Sequence, residues 1–134
     1  MIGRLNHVAI AVTDIQQSIQ TYSRMLGAEV GELIEQPEHN VLVCFVTLPN
    51  TKIELITPLR KEGPLTNFLK KNPSGGIHHI CYEVRNINDS RDKLVRLGAK
   101  IIGSDEPKIG AHGKPVLFLH PNSFDGTLIE LEEA

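Results

Sequence analysis

The stretch "IHHICYEVRNINDSRDKLVRLGAKI", residues 77–101, has a near copy in "LNHVAIAVTDIQQSIQTYSRMLGAEV", residues 5–30. Each holds a histidine, an alternating apolar strand, a polar turn with Ile at its centre, an amphipathic stretch and a Leu-Gly-Ala end. At a constant offset of 72 residues His7 answers to His79, Ile15 to Ile87 and Ser18 to Ser90, and a one-residue gap brings Leu26-Gly27-Ala28 onto Leu97-Gly98-Ala99. The chain also repeats further on, where "VCFVTLPNTKIELITP" is answered by "VLFLHPNSFDGTLIELEE" and Ile53-Glu54-Leu55 stands against Ile129-Glu130-Leu131. Two copies at so long a period make a duplicated half-domain, since solenoid repeats run about 20 to 50 residues and come in arrays.

The repeat predicts a strand, a helix and a meander of about three strands in each copy. This is an α+β fold of two pseudo-symmetric βαβββ modules in one domain spanning residues 1–134. Module one covers about 5–58 and module two about 77–133, with a Pro, Gly and charge-rich linker over about 59–76 that has room for a short helix around Leu65 to Lys70. Gly27 and Gly98 read as helix C-caps, which places helices over Ile15–Leu26 and Ile87–Leu97. Ile15, Ile19, Tyr22 and Leu26 form one apolar stripe at helical spacing, and Ile87, Leu94 and Leu97 the other.

Composition narrows the function. Across 134 residues, 14 Lys plus Arg stand against 16 Asp plus Glu, and 4% of residues are aromatic with no Trp. Neither a basic surface nor stacking platforms for nucleic acid are indicated. No apolar run approaches about 18 residues, so no membrane span is expected and the cytoplasm is the expected location. Cys44 and Cys81 sit in apolar strand-like runs without C-x-x-C spacing, and read as small core residues.

Strand parity picks out the chemistry. His7, Ala9 and Ala11 share one strand face, while the bulky Val8, Ile10 and Val12 share the face that packs on the helix. By the same count His79 lies with Cys81 and Glu83, and His78 points the other way. Glu54, between Ile53 and Leu55, and Glu130, between Ile129 and Leu131, project to the face of the histidines. If the two halves curve toward one another, two imidazoles and two carboxylates meet, a donor set suited to a divalent metal with positions left for substrate oxygens. His39 and His120 read as turn and strand-end residues. In "KIGAHGKPVLFLHP", Gly110, His112, Gly113 and Lys114 form a compact loop whose lysine suits an anionic ligand.

Together "NHVAIAV", "NTKIELITPL", "GGIHHICYEV", "KIGAHGKPVLFLHP" and "GTLIELEEA" resemble the methylmalonyl-CoA epimerase family of the vicinal oxygen chelate, or glyoxalase, superfamily, over nearly the whole chain from Leu5 to Ala134. The resemblance implies paired βαβββ modules in a cupped mixed sheet around a divalent metal, commonly cobalt in assays, with manganese, nickel, zinc or magnesium as other choices. It implies His7, His79 and Glu130 as ligands, with Glu54 where some members have Gln. The implied reaction inverts the α-carbon of methylmalonyl-CoA through an enolate, with carboxylates as acid and base. Glu130 is the first candidate for one base and Glu54 for the other, because the position where some members carry a second Glu is Val43. His112 and Lys114 are expected to bind substrate. Lys114, Arg60, Lys61, Lys70 and Lys71 are candidates for holding the coenzyme A tail, and a homodimer is implied. Two other readings of the fold are a glyoxalase-type isomerase or extradiol-type dioxygenase, and a protein that sequesters a small molecule. The dioxygenase is weakened by a fourth protein ligand, a second carboxylate, in a position that oxygen and substrate need, and the sequestering protein by the scarcity of aromatic residues.

Overall fold

A computed structural model describes all 134 residues. The chain is α+β, with parallel and antiparallel strand pairs and three short α-helices. It divides into two compact units, one of His7–His78 and the other of Met1–Asn6 with His79–Ala134. No helix is long and apolar enough to cross a membrane.

In the His7–His78 unit, the second half of strand β1 (Ile2–Ala11) runs parallel to β5 (Lys52–Pro58), with His7 opposite Lys52, Ala9 opposite Glu54 and Ile10 opposite Leu55. Strand β4 (Val41–Thr47) pairs antiparallel with β5, and its other edge takes β2 (Glu29–Val30) and β3 (Ile34–Gln36). Helix α1 (Ile15–Gln20) starts where the Asp14 carboxylate accepts from the Gln17 N–H at 3.1 Å, which satisfies one of the donors that a helix leaves open at its first turn. One face of the sheet packs on it. Ile15, Cys44, Val46 and Leu55 form the buried cluster, with Ile10, Val12, Ile19 and Tyr22 against it.

The first helix differs from the expected Ile15–Leu26. Its α-helical part ends at Gln20 and the chain continues as a π-helical turn over Thr21–Met25. The wider turn rotates the residues beyond it, so Leu26 leaves the apolar stripe and is 66% exposed. Ser23 shows a local cause, donating its hydroxyl to the Ile19 carbonyl at 2.7 Å and so competing with the regular ladder.

Helix α2 (Pro64–Lys71) comes next, at the place the short linker helix is expected. The chain then turns through Gly75, whose N–H donates to the Asn72 carbonyl at 2.9 Å. Gly75 has φ +82°, and a Cβ there would lie 2.5 Å from the Ala11 carbonyl oxygen. Both the left-handed backbone and the close approach to β1 require glycine. Gly75→Ala is therefore expected to cost about 1–3 kcal/mol, read as a lower urea midpoint, and an unchanged midpoint would refute the proposed need for glycine at this turn.

The other unit repeats the plan. The Ile80–Val84 part of strand β6 (Gly76–Val84) runs parallel to β9 (Ile129–Glu133), with Cys81 opposite Glu130 and Tyr82 opposite Leu131. Strand β8 (Pro115–Leu119) is antiparallel to β9, and β7 (Lys108–Ile109) is antiparallel to β8. Helix α3 (Ile87–Arg96) is capped by Asn86, whose side chain accepts from the Asp89 N–H at 2.9 Å as Asp14 does for α1. Ile87, Leu94, Leu117, Leu119, Ile129 and Leu131 form the core on the helical side. Leu97, expected on that stripe, sits past the last helical residue and is 74% exposed.

Candidate functional site

Each unit carries the same group on its non-helical sheet face. In the first unit Ala9 and Phe45 are the register partners of Glu54. The His7 Nε2 lies 3.8 Å from Glu54 Oε1, and the His7 ring meets the Phe45 ring edge-on, with centroids 5.8 Å apart. In the second unit Phe118 is the register partner of Glu130. There His79 Nε2 lies 2.9 Å from Glu130 Oε2, and the His79 ring meets Phe118 edge-on at 5.4 Å.

All four chemical residues are buried, with exposures of 1% for His7, 6% for Glu54, 4% for His79 and 6% for Glu130. Charged or ionisable side chains reach such depth only when paired or when they hold an ion. An imidazole beside a carboxylate in each unit is a donor set that fits a divalent cation. The residues nominated from strand parity are thus the buried ones, and they stand in pairs, His7 with Glu54 and His79 with Glu130.

His78 is different. Its ring lies edge-on to Phe68 of α2, with centroids 5.0 Å apart, so the two neighbouring histidines serve opposite sides as strand alternation requires. His120 accepts from the Asn122 N–H at 3.1 Å and caps a short 3-10 turn, and His39 ends another such turn, matching their structural readings. Val43 is 2% exposed and pairs with Ile56 two residues from Glu54, so this face carries an apolar side chain where a second base could stand.

Cys44 and Cys81 are free and buried. Burial, and then the negative charge of Glu54, push the Cys44 thiol above its ordinary value of 9.0. Since the folded state holds this proton more tightly than the unfolded chain, the associated stability is complete below about pH 9 and falls as the pH rises through the folded value. Native Cys44 is accordingly expected to resist a thiol reagent at pH 8 and to react on unfolding. Rapid labelling of folded protein would contradict this.

Sequence reading missed one cluster. Glu132, 3% exposed, lies two residues beyond Glu130 on the same face of β9. His112 Nδ1 is 2.9 Å from its Oε2, and the Asn6 amide donates both to Glu132 at 3.3 Å and to Glu83 at 3.1 Å. The available signal was the i, i+2 spacing of Glu130 and Glu132 in "IELEEA". His112 therefore does more than decorate a glycine loop, while Lys114 is exposed in the turn between β7 and β8.

A family model described as the Glyoxalase/Bleomycin resistance protein/Dioxygenase superfamily matches residues 6–118. The chain belongs to this superfamily. Among its relatives, an ethylmalonyl-CoA/methylmalonyl-CoA epimerase of Cereibacter sphaeroides is 62% identical over 99% of each chain. A mitochondrial methylmalonyl-CoA epimerase of Bos taurus is 54% identical over 99% of this chain and 75% of its own length. A solved methylmalonyl-CoA epimerase in complex with methylmalonyl-CoA and NH4+ superposes with a TM-score of 0.93 at 25% identity, covering 100% of this chain and 96% of the other. By this resemblance the chain falls in the methylmalonyl-CoA epimerase branch of the superfamily, and the expected glyoxalase-type α+β fold is the one observed.

Proposed function

We propose that this chain interconverts the two configurations of methylmalonyl-CoA. The observation that carries the reading is the full-length 62% identity to an epimerase of that name, together with a buried His and Glu repeated in both halves of the duplication. His7, His79, Glu130 and Glu54 are the proposed ligands of a divalent metal, with cobalt as the ion to try first and manganese, nickel, zinc or magnesium after it. When bound, such an ion supplies positive charge to substrate oxygens, which favours loss of a proton α to a thioester.

The chain's own residues then handle the proton. One carboxylate takes the α-proton as the C–H electron pair becomes the enolate π bond, and a second delivers a proton to the opposite face. Glu130 is proposed for one of these roles and Glu54 for the other, since Val43 places no carboxylate on β4. Burial of both carboxylates keeps competing water away from the carbanion-like centre. His112, oriented by Glu132, and Lys114 are proposed to hold the substrate. A cytoplasmic homodimer belongs to the same reading, the dimer being testable by sedimentation.

The test is conversion of one pure configuration of methylmalonyl-CoA to the racemate by metal-loaded protein, followed by circular dichroism or a chiral assay. Conversion that stops with chelator and returns with added metal is the expected result. Metal-loaded protein that leaves the configuration intact would refute the assignment.

A further inference from the structure

A further imidazole and carboxylate pair lies within the unit of Met1–Asn6 and His79–Ala134, beside the residues assigned to the metal. His112 Nδ1 is 2.9 Å from Glu132 Oε2 and 3.2 Å from Oε1, and the Asn6 amide donates to Oε1 at 3.3 Å. A carboxylate met by two such groups is the acceptor, so Nδ1 carries a hydrogen toward it and Nε2 is the ring atom that can take up and return a proton. An acid–base imidazole is held in this way, with a buried carboxylate fixing its tautomer and its orientation.

The loop that carries His112 is fixed to the sheet. Gly110 N–H donates to the Lys114 carbonyl at 2.9 Å and Gly113 N–H to the Gly110 carbonyl at 3.0 Å, which closes the turn. A Cβ on Gly110 would lie 2.8 Å from Val116 Cγ1 of β8, so the turn packs directly on that strand. The His112 ring thereby rests on Glu132, which shares a face of β9 with Glu130 about 7 Å along the strand. Its side chain is 24% exposed, against 5% for His79 and 8% for Glu130. Among these groups His112 is the one best placed to trade a proton with water.

We propose that His112 is the acid–base residue on the face of the α-carbon opposite Glu130, with Glu132 as its positioning residue. The inference rests on the epimerase reading above and, within it, gives His112 the face assigned there to Glu54, which then serves the metal alone. For one configuration the α C–H electron pair becomes the enolate π bond as the proton passes to Nε2, and the Glu130 carboxyl supplies the proton of the new C–H bond. For the other configuration Glu130 takes the proton and the imidazolium, stabilised by Glu132, delivers one. An imidazole takes and returns a proton near neutral pH, which suits a reaction that runs in both directions. Val43 places no carboxylate on β4, so the second base comes from another element.

His112→Asn tests this, because it keeps a side-chain N–H at the place of Nδ1 to meet Glu132 and removes Nε2. Each pure configuration of methylmalonyl-CoA is incubated separately with metal-loaded wild type and variant in deuterated water. Deuterium entry and optical activity are followed together, and metal content is measured on the same samples. The wild type is expected to exchange and invert both configurations. H112N is expected to hold its metal, to invert about 10²–10⁴-fold more slowly, and to go on exchanging the α-hydrogen of one configuration, the one that faces Glu130, without inverting it. Glu132→Gln should slow proton transfer on the His112 face alone, roughly tenfold or more, and the same one-sided pattern decides the matter if H112N does not fold. Inversion by H112N at the wild-type rate would overturn the proposal. So would exchange slowed equally for both configurations, the result of losing a substrate contact, or loss of the metal from H112N. Wild type that neither exchanges nor inverts either configuration would refute the epimerase reading itself, whereas normal wild-type turnover with a symmetric H112N refutes only the role of His112.

Discussion

Replacement of His79 by alanine is expected to remove bound metal and epimerisation together, with the rate falling by roughly 10²–10³-fold or more, whereas His78→Ala keeps both. The contrast arises from where adjacent rings point. His79 is 4% exposed, its Nε2 is 2.9 Å from Glu130, and Phe118 braces the ring edge-on, so the substitution deletes a donor and unseats its carboxylate partner. His78 packs on Phe68, and its loss forfeits an edge contact worth about 0.5–1.5 kcal/mol of stability. Metal stoichiometry after gel filtration and turnover on the same samples decide the matter. Equal metal loss in the two variants would contradict the assignment by strand face.

The second large effect concerns the cluster at Glu132. Removing its two partners in Asn6→Ala/His112→Ala leaves a 3% exposed carboxylate without the amide and imidazole that face it, and is expected to cost about 3–5 kcal/mol. Glu132→Gln removes the charge and retains an acceptor for the same groups, so its expected cost is about 1 kcal/mol. The asymmetry, measured by urea denaturation of the two variants, is the diagnostic quantity. A Glu132→Gln variant as unstable as the double variant would mean that the carboxylate is the indispensable member and that the cost does not come from an unpaired buried charge.

Much of this site was legible because duplication and alternation are both visible in a sequence. A period of two assigns His7, Ala9 and Ala11 to one face, and the second copy repeats the assignment at His79, so the face of Glu54 and Glu130 could be stated from residue order alone. The features that failed to show have identifiable physical causes. The π-helical turn at Thr21–Met25 depends on a hydroxyl back-bond by Ser23, which apolar periodicity does not record, and Leu26 was misplaced for that reason. The edge-on Phe45 and Phe118 rings arise from cross-strand register, which requires knowing which strands pair. Glu132 draws its partners from Asn6 and His112, 126 and 20 residues away along the chain, and no local pattern announces such contacts. The basic linker residues were recognisable as a group, yet Arg60 lies in a loop tied to Asn40 while Lys70 and Lys71 end α2, a separation that composition does not record.

The most direct test of proton transfer at the buried carboxylates is hydrogen exchange at the α-carbon. Metal-loaded protein is incubated with one configuration of methylmalonyl-CoA in deuterated water, and deuterium entry is followed by mass spectrometry alongside loss of optical activity. Deuterium is expected to enter as configuration is lost, and chelator to stop both. Inversion without solvent deuterium in the product, or no exchange from protein shown to hold its metal, would contradict proton transfer between solvent-exchangeable carboxylates and the α-carbon.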